Sequence, residues 1–240
     1  MELVTRKPII TAYLKPSLDA YHTKGISACV FELEHQILNK KVKFPLLEFC
    51  GTKLFQEIAS EEHITLCDEI EALKTEGGNV LLGIIMQHRL SVNFAQSLQK
   101  TTEYVSKAHI WYICDIIGER VYGYALLHEP DKTIPELKKL VEHPINWVIR
   151  SLGAGIHYAI KKGLLKEYVE VVFLLLLSKA NSTDTEIRQG IGWAAKTTAR
   201  YHPDIIDLYQ KEIQDSEHVA NWFRTKIKIG LDRNNYAKRN

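Results

Sequence analysis

The stretch Asp184-Thr-Glu-Ile-Arg-Gln-Gly-Ile-Gly-Trp-Ala-Ala-Lys-Thr-Thr-Ala-Arg200 decides the fold class, because it predicts an amphipathic helix with a marked start. Asp184 is a typical N-cap residue at the end of a polar run. Small and apolar residues recur at the spacing of a buried helical face: Ile187, Ile191, Ala194, Ala195 and Thr198. The opposite face carries a polar stripe that includes a tryptophan: Gln189, Trp193, Lys196 and Arg200.

The same helical periodicity recurs along the chain, whereas alternating strand patterns with Asn-Gly or Asp-Gly turns are absent. We therefore predict an all-α fold with helices over about 26–39, 45–58, 63–73, 78–89, 91–105, 108–128, 134–141, 145–161, 165–178, 184–201, 203–213 and 216–231. The length of 240 residues suits a single domain, 1–240. Its two ends, 1–25 with Pro8 and Pro16 and the polar tail 232–240, are expected to pack loosely.

The second half of the chain is roughly periodic. Trp111, Arg150 and Trp193 lie 39 and 43 residues apart, a spacing typical of HEAT-like helical pairs. Such pairs stack into a solenoid, an α-α superhelix whose concave face suits a long polymer. We therefore predict a HEAT-like helical repeat solenoid with a concave DNA-binding face.

Composition excludes several classes of protein. The net charge is only +2, so a surface for nucleic acid requires positive charge to be sorted to one side. The N-terminus lacks a secretory signal, and the longest apolar run, 169–177, is too short to span a bilayer. The four cysteines show no paired spacing and are expected to be buried thiols. These features predict a cytoplasmic protein without a membrane association.

Trp111 and Asp115 form the first candidate site. A spacing of four places an aromatic ring and a carboxylate on one helical face, and Gly118 would leave room there for a ligand. A core tryptophan and a surface aspartate are the commoner origin of such a pair. The adjacent apolar stripe, however, already supplies the core, which favours a functional role. Arg150 could lie at the surface, or be the bidentate partner of a phosphate or of Asp115.

The stripe around Trp193 is the second candidate site. A tryptophan beside two basic residues, Lys196 and Arg200, suits a sugar–phosphate backbone, because it combines a flat apolar contact with positive charge. The C-terminal helix adds three candidate phosphate contacts, Arg224, Lys226 and Lys228, although a solvated basic face explains them nearly as well. We expect Arg150, Lys196, Arg200 and Lys228 to lie on the same side as Trp111, Asp115 and Trp193.

Common catalytic motifs are absent from the sequence: it has no Walker loop, no GxGxxG, no HExxH and no GxSxG. No histidine pairs with another histidine or with a cysteine at metal-ligand spacing. We therefore predict neither a metal, nor a nucleotide, nor another cofactor.

Three segments resemble the AlkD family of DNA alkylation repair glycosylases. They are Trp-Tyr-Ile-Cys-Asp at 111–115, Asn-Trp-Val-Ile-Arg at 146–150, and Ile-Gly-Trp-Ala-Ala-Lys with the following Ala-Arg-Tyr-His-Pro-Asp at 191–204. The resemblance covers about 100–230 and is weak before that. It implies that Asp115 is the catalytic acid, that Trp111 and Trp193 contact the deoxyribose, and that Arg150, next to Trp147, holds a phosphate. Lys196 departs from the family, which has arginine there.

The resemblance further implies the reaction: hydrolysis of the N-glycosidic bond of a cationic N3- or N7-alkylated purine in double-stranded DNA, without base flipping, by a monomer. Two alternatives remain open at this point. One is a non-catalytic HEAT-like paralogue that binds the DNA backbone or branched DNA. The other is a helical-repeat scaffold for protein partners, with Trp193 as an interface anchor.

Overall fold

A computed structural model of the chain describes residues 3–239, and the side chains of 235–239 lie outside that description. The all-α prediction is confirmed: apart from two paired two-residue strands, β1 (Leu3–Val4) and β2 (Lys41–Val42), the regular structure described is helical. Backbone contacts divide the chain into two compact units, Met1–Tyr104 and Val105–Asn240, where the sequence predicted one domain.

The N-terminal unit consists of short and medium helices. In chain order they are α1 (Lys7–Lys24), α2 (Ile26–Leu33), a π-type turn (Glu34–Leu38), α3 (Phe44–Glu57), a 3-10 turn (Ser60–Glu62), α4 (His63–Ala72), α5 (Glu76–Arg89) and α6 (Phe94–Ser106). β1 and β2 run parallel, with Leu3 opposite Lys41.

The expectation that 1–25 packs loosely was wrong for α1. Ile10 and Leu14 lie one turn apart and are buried, as is Ser17, and α1 packs against α2 and α3. Pro8 lies in the first turn, where a missing N–H costs no hydrogen bond. The corresponding expectation for 232–240 falls largely on 235–240, outside the described side chains.

The C-terminal unit alternates long helices with shorter ones. The long helices are α7 (Trp111–Gly118), continued through a π-type turn (Glu119–Gly123) into α8 (Tyr124–His128), then α10 (Asn146–Lys161), α12 (Thr185–Tyr201) and α15 (Asn221–Arg239). The intervening helices are α9 (Pro130–Leu140), α11 (Lys166–Leu177), α13 (Pro203–Leu208) and α14 (Gln210–Gln214).

The long helices pack side by side in chain order: α7 on α10, α10 on α12 and α12 on α15. They begin at Trp111, Asn146, Thr185 and Asn221, so the repeat intervals are 35, 39 and 36 residues. Asp115 and Arg150 are therefore equivalent, each the fifth residue of its helix, whereas Trp111 and Arg150 are not. A helical repeat is present, but the intervals of 39 and 43 residues in the sequence prediction were measured between positions that are not equivalent in their helices.

Glycine allows these helices to approach closely. A Cβ on Gly153 would lie 2.2 Å from the backbone of Gly190, so α10 and α12 touch backbone to backbone there. Gly118 has the same role, because a Cβ on it would lie 2.4 Å from the carbonyl oxygen of Ser151. The expectation that Gly118 leaves room for a ligand was therefore wrong: a neighbouring helix fills that space.

The four cysteines, Cys29, Cys50, Cys67 and Cys114, are buried and unbridged, as predicted. Burial raises the pKa of Cys29, Cys50 and Cys114 to about 12, which makes their thiols unreactive at neutral pH. In the part of the chain that the structure describes, no helix combines the length and the hydropathy needed to cross a bilayer.

Candidate active site and nucleic-acid interface

Asp115 and Arg150 form a bidentate ion pair across α7 and α10. Nε and Nη2 of Arg150 donate to Oδ1 and Oδ2 of Asp115 at 3.0 and 2.9 Å. The side chain of Asp115 is 13% exposed and that of Arg150 is 11% exposed. The pair forms because the two residues are equivalent positions of adjacent helices. Of the partners that the sequence left open for Arg150, the structure shows the carboxylate.

Glu186, in the first turn of α12, is a second acid on the same guanidinium. Nη1 of Arg150 donates to its Oε2 at 2.6 Å. Burial alone lowers the pKa of Arg150, but hydrogen bonds and charge from Asp115 and Glu186 outweigh it and raise the pKa. We call Asp115, Arg150 and Glu186 the acidic cluster, because two carboxylates share one cation. Sequence reasoning missed Glu186, although it follows Arg150 by 36 residues, about one repeat.

Trp111 is the exposed edge of this cluster. The residue is 55% exposed, and its ring centroid lies 5.8 Å from Cζ of Arg150. An exposed tryptophan next to a charged group is not needed for the core of the unit. It offers a flat apolar surface beside the acidic cluster, which can accept a sugar or a base.

Trp193 stacks on His157, a residue that the sequence analysis did not single out. The ring centroids are 4.0 Å apart and the planes are inclined by 25°. A 2.7 Å hydrogen bond joins Nδ1 of His157 to the hydroxyl of Thr197. Burial, with the charges of Lys161 and Lys196, lowers the pKa of His157 to about 4, so the ring is neutral at neutral pH.

The two aromatic sites lie along one face of α10. Arg150 and His157 are seven residues apart, which is two helical turns, or about 10 Å. Arg150 contacts the acidic cluster and Trp111, while His157 contacts Trp193. Trp111 and Asp115 on α7 and Trp193 on α12 thus contact residues of one and the same face of α10.

Positive charge gathers beyond Trp193. Desolvation, followed by the charges of Arg233 and Lys226, lowers the pKa of Lys196. The side chain of Lys226 also packs over Gly192. Among the described residues, no carboxylate pairs with Lys196 or Lys226. We call Lys196, Lys226 and Arg233 the basic cluster. It can attract an anion, because Lys226 and Arg233 add to the positive potential at Lys196.

Gln189, Arg200 and Trp147 are accessible without being joined to the acidic cluster by hydrogen bonds. Gln189 and Arg200 are exposed, and the guanidinium of Arg200 lies 5.3 Å from the ring of Tyr201. Trp147 is half-buried. Gln189 also borders a cavity of about 200 Å³, lined by Thr185, Arg188, Gln189, Trp222 and Lys226. DNA contacts by these three residues remain predictions.

The expected position of Lys228 was wrong. Arg224 and Lys228 line a groove against α13 and α14, together with Ile206, Gln210 and Ile213. Lys226 instead points toward α12, because residues two apart on a helix lie on nearly opposite faces. Of the basic residues of α15 that the sequence offered, Lys226 is the one near Trp193.

Possible metal ligands gather away from the two clusters. In the described part of the chain, the one group of three possible metal ligands is Asp215, Glu217 and His218, all exposed and none in either cluster. That the protein needs neither a metal nor a cofactor remains a prediction.

Comparisons with known proteins agree with this architecture. The family of DNA alkylation repair enzymes matches residues 42–228. AlkD2 from Streptococcus mutans has a similar structure, with a TM-score of 0.71 at 13% identity, over 85% of this chain and 97% of that chain. The curated proteins give no match. The resemblance predicted from the sequence is thus confirmed, and the chain belongs to the DNA alkylation repair enzyme family.

Proposed function

We propose that this protein is a DNA glycosylase that hydrolyses the N-glycosidic bond of cationic N3- or N7-alkylated purines in duplex DNA. One observation carries the proposal: the carboxylate of Asp115 is fixed on both oxygens by Arg150, directly beside the exposed ring of Trp111. An anion held in place next to an accessible aromatic surface can stabilise a sugar that becomes positive.

The chemistry requires little more than such an anion. An alkylated purine already carries a positive charge and leaves as a neutral base, so the enzyme need not protonate it. The barrier lies in the oxocarbenium-like sugar, as in other glycosidic cleavages. Asp115 stabilises that charge and orients or deprotonates the attacking water.

The aromatic residues give the sugar its position. Trp111 and Trp193 frame the deoxyribose, and the negative faces of their rings favour developing positive charge. The basic cluster, with Arg200 and Gln189, holds neighbouring phosphates. The lesion stays in the base stack and is recognised by its charge and by the backbone. The proposed partner is alkylated double-stranded DNA, bound by a cytoplasmic monomer.

The decisive measurement is the release of free methylated base from alkylated duplex DNA by the wild type and by Asp115→Asn. Asp204→Asn is the matched control, since Asp204 also forms an ion pair with a basic residue, Lys166, but lies outside the acidic cluster. We expect release by the wild type and the control, and release slowed on the order of 100–1,000-fold by Asp115→Asn. Release by Asp115→Asn at the rate of the wild type would show that another residue is the acid.

One observation favours a second function, binding of the DNA backbone or of branched DNA without catalysis. Both oxygens of Asp115 already accept hydrogen bonds from Arg150, as in a purely structural ion pair. The same assay distinguishes the two functions: a non-catalytic protein binds DNA in a salt-dependent manner and releases no base. A scaffold for protein partners would show neither property.

A further inference from the structure

Arg150 forms ion pairs with two carboxylates, and these pairs affect its ability to bind a DNA phosphate. Its three hydrogen bonds go to Asp115 and Glu186, and its side chain is only 11% exposed. A guanidinium has five N–H donors, so two remain for other partners. The family resemblance, in contrast, assigns this arginine to a phosphate.

Glu186 is well placed to hold its charge. It lies in the first turn of α12, where the helix dipole favours an anion, and α12 is capped by the side chain of Asp184. The side chain is 28% exposed, so Glu186 is the most accessible member of the acidic cluster. With Glu186 present, the acidic cluster carries one net negative charge.

We propose that Glu186 is a positioning residue for the reaction: it holds Arg150 on Asp115, keeps the guanidinium from a DNA phosphate, and leaves the cluster anionic where the sugar becomes positive. The catalytic part of this inference, the positioning of Asp115 for base release, rests on the proposed glycosylase function. Its binding half, that Glu186 prevents Arg150 from contacting phosphate, holds for any DNA-binding role of this face.

Phosphate and the two carboxylates would compete for the same guanidinium. A phosphate near Arg150 would meet two carboxylates within hydrogen-bond distance of the same guanidinium, and like charges repel. Without the charge of Glu186, Arg150 has a free Nη1 and one acid fewer to neutralise. The guanidinium then turns toward the DNA backbone, and Asp115 loses part of its fixed geometry.

The test compares Glu186→Gln with Glu167→Gln. Glu167 is the matched control, since it lies in the first turn of α11 and is exposed, with no contact to Arg150. Two quantities are measured: the single-turnover rate of base release at saturating protein, and the affinity for undamaged duplex DNA between 50 and 200 mM salt.

We expect Glu186→Gln to release base about 10-fold more slowly, as Asp115 loses its fixed position. It should also bind DNA more tightly, with a plot of log affinity against log salt steeper by about 0.9, the value for one added phosphate contact. Glu167→Gln should change neither quantity. A salt slope for Glu186→Gln equal to that of the control would overturn the proposal.

A second pair of variants separates this role from a merely structural one. Lysine cannot bridge two carboxylates as a fork, so Glu186→Gln should have no further effect on base release or on the salt slope when added to Arg150→Lys. Additive effects would overturn the proposal. If the wild type releases no base, the glycosylase function fails, but the change in salt slope still tests the role of Glu186.

Discussion

The acidic and the basic cluster have opposite charge, although the same helix, α12, contributes to both. Glu186 in its first turn completes the acidic cluster, and Lys196 near its C-terminal end belongs to the basic one. Between them the neutral ring of His157 stacks on Trp193. One surface therefore presents a place for a cation and a place for a polyanion.

The difference shows why net charge is a poor guide to function here. The chain carries only +2 overall, yet the unit 105–240 sorts its charges along one row of helices. An alkylated nucleotide in DNA has the same split, with a cationic base, on a sugar that becomes positive during cleavage, next to anionic phosphates. Under the proposed function, each cluster would bind one part of such a ligand.

The largest effect is expected from removing the charge of the acidic cluster at its centre. Asp115→Asn should slow base release on the order of 100–1,000-fold, the usual cost of losing one well-placed electrostatic stabiliser. DNA binding should stay equal or become slightly tighter, because a negative charge leaves a polyanion site. The measurements are single-turnover base release and fluorescence-anisotropy titration. Weaker binding of DNA by Asp115→Asn would contradict the separation of the two clusters.

Both clusters depend on the close contact of α10 and α12, and Gly153→Ala should break them together. A Cβ there would lie 2.2 Å from the backbone of Gly190, so the helices must move apart. We expect a loss of about 3 kcal/mol in the free energy of unfolding, measured by urea denaturation, with a fall in both DNA binding and base release. Gly192→Ala is the control, since its Cβ would meet side chains and no backbone: Lys226 at 3.1 Å and the ring of Trp222 at 3.4 Å. Equal stability of the two variants would contradict this prediction.

The ring between the clusters predicts a dependence on pH. The pKa of His157 is lowered from 6.5 to about 4 in the folded protein, so on acidification the unfolded chain binds the proton first. The neutral ring's contribution to the free energy of unfolding is fully present above pH 6.5 and is lost as the pH falls toward 4. Through His157 alone, the free energy of unfolding at pH 5 is about 2 kcal/mol lower than at pH 7.

His157→Gln should lack that share of the pH dependence. The comparison is urea unfolding of the wild type and the variant at pH 7 and pH 5, because other histidines then contribute equally to both proteins. A wild type and a variant that lose the same stability on acidification would contradict the neutral state of His157.

The smallest effect concerns one charge of the basic cluster. Lys196→Ala should weaken DNA binding for all sequences and reduce the slope of log affinity against log salt by about 0.9. Lys196→Arg should keep or improve binding, because a guanidinium can hold a phosphate bidentately. Lys211→Ala, an exposed lysine on α14, is the control. If Lys196→Arg abolishes binding, the geometry near Trp193 differs from that implied by the family, and the role assigned to Trp193 fails with it.

The sequence by itself determined the all-α class, most of the helices and the residues worth testing. Helical periodicity is a local property, so apolar faces such as that of 184–201 can be recognised without the fold. Asp115, Arg150, Trp193 and Lys196 were found in the same way, from their residue types and spacing. α1 was missed, because Pro8 and Pro16 look like breaks when their position in a helix is unknown.

Only the tertiary structure decided the register between helices, and with it the partners of each side chain. The backbone contact of Gly153 with Gly190 fixes how far α10 and α12 are shifted against each other. That shift brings Glu186 to Arg150 and His157 to Trp193, while the separate packing of α15 on α12 brings Lys226 toward Lys196. The packing of α7 on α10 likewise fills the space beside Gly118, where the sequence suggested room for a ligand. A sequence pattern defines one face of one helix, whereas a contact between helices depends on two such patterns and on the offset between them, which packing sets.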